Sequence, residues 1–188
     1  AMAFDRDRGV VVLLGGESIA TPGTYFADVW QWNGSAWQQS PVSLPSARAR
    51  AMLAYDPVGG GLLLHGGLGP GGQSGTLLND TMTFTGALWI VRQPATPPPW
   101  RMFGCMVTDP LRQRVVLLGG GVDPFPWEWN GSEWNPMVQP SPALRSYAGI
   151  AYDAVQRRVV LHGGLAIGPF GSYALNDTWS FATPLPAD

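Results

Sequence analysis

Short apolar runs recur along the chain, and each ends on a pair of glycines. The runs are Val10–Leu14, Leu62–His65, Val115–Leu118 and Val159–His162. The pairs are Gly15-Gly16, Gly66-Gly67, Gly119-Gly120 and Gly163-Gly164, spaced by 51, 53 and 44 residues. A nearly continuous apolar run of this length predicts a strand buried on both faces. Before each run lies a shorter one that closes on Asp5, Asp56, Asp109 or Asp153. It alternates large and small side chains, as in Leu53-Ala54-Tyr55, which is the period of a strand. After each glycine pair comes an aromatic segment: DVWQW, NDTMTF, FPWEW or NDTWSF. In the first three units a further tryptophan follows, Trp37, Trp89 or Trp134. Each unit therefore predicts four short strands. Asn33-Gly34 and Asn130-Gly131 predict type I′ hairpin turns between the third and the fourth. No segment carries a helical period.

The units repeat at a second level. Residues 32–84 align without gaps to residues 129–181, with 23 identities in 53 positions. Units one and three share W-x-W-N-G-S-x-W, and units two and four share Leu-His-Gly-Gly-Leu. The chain reads as a duplicated pair, A-B-A-B, within one domain spanning 1–188. The blades lie at approximately 1–40, 48–93, 101–138 and 145–188. A four-stranded unit cannot bury its faces alone, and stacking the units radially gives a β-propeller.

With these features the chain resembles the kelch-repeat family, including its bacterial and galactose-oxidase-like central-domain sequences. The double glycine, the apolar strand before it and the aromatic pair followed by tryptophan carry the resemblance across essentially the whole chain. The expected fold is all-β, a kelch-type propeller of four four-stranded blades, with the last blade lacking its outer strand. Pro186 stands where that strand's tryptophan would be. Four blades lie at the small end of the range of roughly four to eight. Three closures are therefore open: two chains completing one ring as a homodimer, missing blades of a longer chain, or a small four-bladed ring.

Composition narrows the function. Charged residues are only 13% of the chain and the net charge is −2, which gives no basic surface for nucleic acid. No apolar run reaches the roughly 18 residues of a membrane span. All eleven basic residues are arginine, a GC-rich bias that suggests a bacterial source. The single cysteine, Cys105, excludes an internal disulfide. It occupies a small or apolar strand position, so a buried thiol is expected. The copper site implied by the galactose-oxidase branch of the family has no matching set of positions here, and no cofactor is expected. His65 and His162 hold equivalent repeat positions without a recurring third ligand, so they read as structural and not as a metal pair. The aspartates that close the first strands read as turn formers. Gly67–Gly72 matches G-x-G-x-x-G, but Pro70 interrupts it and no helix follows to hold a phosphate.

Three arginines remain. Arg48, Arg101 and Arg145 each lie eight residues before the blade aspartate. The kelch resemblance places this loop on the same face as the loop after the glycine pair. The arginines could recognise a carboxylate there, or tie each blade to the next. Tyr25, Phe170 and Tyr173, in the variable loops after the glycines, are candidate contacts. Trp37, Trp89 and Trp134 and the glycine pairs are structural repeat positions. The expected function is a non-catalytic recognition or assembly module. It would bind a protein, peptide or glycan through its loop-rich face and self-associate to complete the ring. The alternative is an enzyme on a kelch scaffold, such as a sugar epimerase, a lyase or a specifier-like protein. No compartment can be read from the sequence.

Overall fold

A computed structural model describes residues 1–71, 75–123, 125–137, 142–169 and 171–182. All regular structure among them is β. Blade 1 comprises β1 (Met2–Asp5), β2 (Val10–Glu17), β3 (Tyr25–Trp32) and β4 (Trp37–Gln39). Blade 2 comprises β5 (Met52–Tyr55), β6 (Leu62–Gly69), β7 (Thr76–Phe84) and β8 (Trp89–Arg92). Blade 3 comprises β9 (Cys105–Asp109), β10 (Arg114–Leu118), β11 (Trp127–Trp129) and β12 (Trp134–Pro136). These three sheets are antiparallel meanders in chain order. Blade 4 pairs β13 (Gly149–Asp153) with β14 (Arg158–His162) and β14 with β17 (Thr178–Ala182). No strand flanks β17 among the described residues, as the sequence predicts. A separate hairpin, β15 (Leu165–Gly168) with β16 (Gly171–Ala174), fills the loop between β14 and β17.

The four sheets succeed one another around a common axis as propeller blades. The first strand of each blade is innermost: β1 lies against β5, β5 against β9 and β9 against β13. Among the described residues no comparable contact joins β13 back to β1. Blade 1 therefore keeps one sheet face open, and so does blade 4.

Three seams hold the blades together. Val12, Leu14 and Val29 of blade 1 meet Leu53, Leu62, Leu64, Met82 and Phe84 of blade 2. Val116 and Leu118 of blade 3 meet Val159, Leu161 and Phe181 of blade 4. In both, the fully buried side chains are mostly aliphatic with one phenylalanine, and partly buried aromatics such as Trp89 and Trp179 pack on the margin. The middle seam differs. There Met52, Ala54 and Leu63 of blade 2 meet Met106, Val115, Leu117, Trp127, Trp129 and Trp134 of blade 3.

Local chemistry explains the turns. Asp5, Asp56, Asp109 and Asp153 each accept backbone N–H bonds from two and three residues on, through Oδ1. One turn expectation is corrected. Asn33 and Asn130 do not take the positive φ of a type I′ turn; only Gly34 and Gly131 do, at 101°. The connections are four-residue loops, since Trp32 pairs with Trp37 and Trp129 with Trp134. Each asparagine instead folds the loop by accepting two backbone N–H bonds on its side-chain oxygen.

Candidate binding face

The repeated arginine and the glycine pair form one device. Arg48 is fully buried. Its Nη1 donates to Gly66 O at 3.1 Å, and its guanidinium grips Asp80 through both oxygens at 2.7 and 2.8 Å. Arg145 repeats this with Gly163 O at 2.9 Å and with both oxygens of Asp177. Arg101 donates to Gly119 O and pairs with Asp123. Asp123 comes from the loop, because Phe125 stands in that blade where the others carry aspartate. The main chain of each arginine faces the preceding blade. Gly16, Gly67 and Gly120 N–H groups donate to the carbonyls of Arg48, Arg101 and Arg145 at 2.9, 2.7 and 2.8 Å. Each arginine thus clips blade to blade. The carboxylates expected to meet these guanidiniums come from within the chain. The bonds from Arg145, and the indole N–H of Trp179, hold the Asp177 carboxyl well below the usual carboxylate range.

The other expected residues scatter. Tyr25 opens β3 and is half-buried, Tyr173 on β16 is exposed, and Phe170 lies outside the described residues. His65 is buried in the middle seam, where its Nδ1 meets Thr81 Oγ1 at 3.1 Å and burial pushes its imidazole down to about 3. His162 repeats the pairing with Thr178 at 2.9 Å, but on the open face of blade 4. Burial pushes the Cys105 thiol up to about 12, which leaves no thiolate for nucleophilic work near neutral pH. No group of three histidine, cysteine or acidic side chains fit for a metal occurs among the described residues.

Sequence reasoning missed the most distinctive row on this face. Two residues after each clip arginine stand Arg50, Phe103 and Tyr147. All three take left-handed backbone conformations, with φ of 62°, 60° and 60°. Such a conformation costs a bulky residue about 1–2 kcal/mol. A backbone ladder holds them: Phe103 N–H donates to Arg50 O at 3.1 Å, and Tyr147 N–H donates to Phe103 O at 2.8 Å. The side chains stack in the same order. The Arg50 guanidinium lies 4.7 Å over the Phe103 ring, and the Phe103 and Tyr147 rings are 4.2 Å apart. Glu17 at the end of β2 anchors the row by pairing with Arg50 at 2.6 Å. Tyr147 ends it with its ring exposed. The row lies just before the inner strands of blades 2, 3 and 4. Its only sequence signal is a fixed offset from the repeated arginine, because the residue type changes at each copy.

A concavity of about 320 Å³ opens beside the inner strands, lined by Met2, Phe4, Arg6, Tyr55, Met106 and Thr108 among others. A smaller one, about 140 Å³, lies between Leu144 to Ser146 and Leu165 to Ile167. Neither gathers a set of titratable groups of the kind acid–base chemistry requires.

The chain adopts a β-propeller arrangement of four blades, and neither a known family model nor a curated protein matches it.

Proposed function

We propose that the chain is a kelch-type propeller that serves as a non-catalytic recognition and assembly module. It binds a protein, peptide or glycan across its loop-rich face and self-associates through its terminal blades. The observation that carries the ligand reading is the row from Glu17 through Arg50 and Phe103 to Tyr147. Three bulky residues hold costly backbone conformations at equivalent positions, and strain of this kind persists where a site needs it. The row offers an aromatic ring face and a cation side by side on a rigid scaffold. That combination suits a sugar ring or an aromatic or acidic peptide side chain.

The test is a pair of glycine variants, Phe103→Gly and Tyr147→Gly, screened with the wild type on peptide and glycan arrays. Glycine relieves the backbone strain, so the variants are expected to fold at least as well as the wild type. They are expected to lose the probes that the wild type retains. Probe binding that survives in the double variant removes this row from the site.

A further inference from the structure

We infer that the two open sheet faces are the two halves of one seam, closed by a second copy of this chain, with blade 4 of each copy seated on blade 1 of the other. This rests on the self-association proposed above and specifies which surfaces meet and by which contacts.

The template is the middle seam. On its blade 3 side, Trp129 Nε1 donates to Asp56 Oδ2 at 2.9 Å and Trp134 Nε1 donates to Thr81 Oγ1 at 3.0 Å. Thr81 also meets His65, whose ring packs edge-on to Trp134 at 5.5 Å. Met106, Leu117 and Val115 complete the apolar part.

The open face of blade 1 carries the same set in the same register. Met2 pairs with Leu13, Leu13 with Trp30, Val11 with Trp32 and Trp32 with Trp37. These stand in the repeat where blade 3 has Met106, Leu117, Trp127, Val115, Trp129 and Trp134. Trp32 and Trp37 already hold a tilted pairing at 5.7 Å, as Trp129 and Trp134 do at 5.4 Å. Yet Trp37 is 42% exposed and Trp134 only 1%. Phe4, at the Thr108 position, is 54% exposed.

The open face of blade 4 carries the complement. Ala151, Asp153, Val160, His162 and Thr178 repeat Ala54, Asp56, Leu63, His65 and Thr81. His162 already meets Thr178 as His65 meets Thr81. The acceptors and the edge partner that Trp32 and Trp37 require are therefore displayed at the other end of the same chain. They are Asp153 for Trp32, Thr178 for Trp37 and the His162 ring beside it. Among the described residues no contact like those between successive inner strands joins the two faces within one copy. Two copies related by a two-fold axis satisfy both faces at once and close a ring of twice as many blades, with no open face left. One position departs from the template: Gly149 replaces Met52, which thins the blade 4 side by one side chain.

The experiment is light scattering on a sizing column, with the wild type, Ala151→Arg and Trp37→Glu. Ala151 is exposed in the single chain, so arginine there leaves the fold intact, while its counterpart Ala54 is buried in the template seam. The wild type is expected at twice the chain mass of 20.1 kDa. Each variant is expected to weaken association by about 100-fold or more, the effect of blocking the centre of an interface. Mixing the two variants is expected to restore a one-to-one complex, because one of the two seams is then wild type on both sides. If Trp37→Glu misfolds by circular dichroism, Phe4→Glu takes its place. A wild type of single-chain mass overturns self-association and the seam together. A dimer that neither variant weakens overturns this seam and leaves self-association standing. Variants that turn monomeric but do not associate when mixed overturn the pairing of blade 4 with blade 1.

Discussion

Alanine substitution at the first glycine of each pair separates two reasons for that glycine. Gly15, Gly66, Gly119 and Gly163 share nearly the same φ, from 59° to 67°, so the conformational cost of alanine is common to all four, about 1–2 kcal/mol. The surroundings differ. A methyl on Gly15 or Gly119 overlaps the carbonyl oxygen of Arg48 or Arg145, and one on Gly66 comes within 2.7 Å of the Arg101 carbonyl. That carbonyl is the acceptor that straps the next blade. Moving it costs the strap about 1 kcal/mol and leaves a polar group wanting a partner, about 1–3 kcal/mol more. At Gly163 no strap carbonyl stands close among the described residues, and the nearest atom to a methyl would be Leu175 O at 3.3 Å. Gly119→Ala is therefore expected to lose about 3–6 kcal/mol and Gly163→Ala only about 1–2 kcal/mol, with Gly66→Ala between them. Urea unfolding followed by tryptophan fluorescence measures both, on an Ala151→Arg background so that association does not enter. Losses at Gly119 and Gly163 that agree within about 0.5 kcal/mol refute the strap as the reason for the glycine and leave backbone conformation alone.

Two further outcomes rest on a buried histidine and a partly buried thiol. His65 titrates at about 3 when folded, against about 6.5 when unfolded, so the unfolded chain takes up the proton first as pH falls. Stability is retained above about pH 6.5 and falls by about 2 kcal/mol at pH 5 on this account, relative to a His65→Leu variant measured in parallel. A difference between the two that does not change with pH refutes it. Cys105 is expected to resist thiol reagents at pH 8 until urea unfolds the chain, with labelling that tracks the unfolding curve. Fast labelling of the native protein contradicts the raised pKa of this partly buried thiol.

The blade count, the strand order and the three-stranded fourth sheet of the described residues were legible because they depend on repeated local patterns. Apolar runs ending on Gly-Gly give the second strands, and Asp5, Asp56, Asp109 and Asp153 mark the turns. What was not legible depends on contacts between distant segments. Asn33-Gly34 has the composition of a type I′ turn, but the Trp32–Trp37 pairing lengthens the loop to four residues, and the asparagine side chain closes it. The arginines carry a strong repeat signal, yet only the fold brings Asp80, Asp123 and Asp177 to them. The hairpin of β15 and β16 repeats a pairing of blade 2, since Leu165 meets Ala174 as Leu68 meets Leu77, but in blade 4 it is separated from β14 and β17. In blades 1 and 2 the same segment extends β2 and β6 past a register shift at the glycines. The stacked row of Arg50, Phe103 and Tyr147 was hidden because its function depends on backbone position and not on residue type.

The A-B-A-B pattern acquires a physical meaning from the seams. The fully buried parts of the two A-to-B seams are mostly aliphatic and hold no indole-to-acceptor bond, although Tyr55 and Gly61 donate to Asp7 at the margin of the first. The B-to-A seam is ordered by indole N–H groups on aspartate and threonine, and by a histidine with a pKa set by burial. Aliphatic packing is strong per unit area but weakly selective, whereas a buried donor left without its acceptor costs about 1–3 kcal/mol. The pair A-B is thus the unit held by bulk hydrophobic burial, and the contact between pairs is the one that specifies register. Among the described residues, blade 1 leaves an A face uncovered and blade 4 a B face, so the surfaces on display are those of the selective seam. Exposed aliphatic faces would associate with any apolar surface. A face of tryptophans that need particular acceptors rejects partners lacking them, and on this chain those acceptors stand on blade 4.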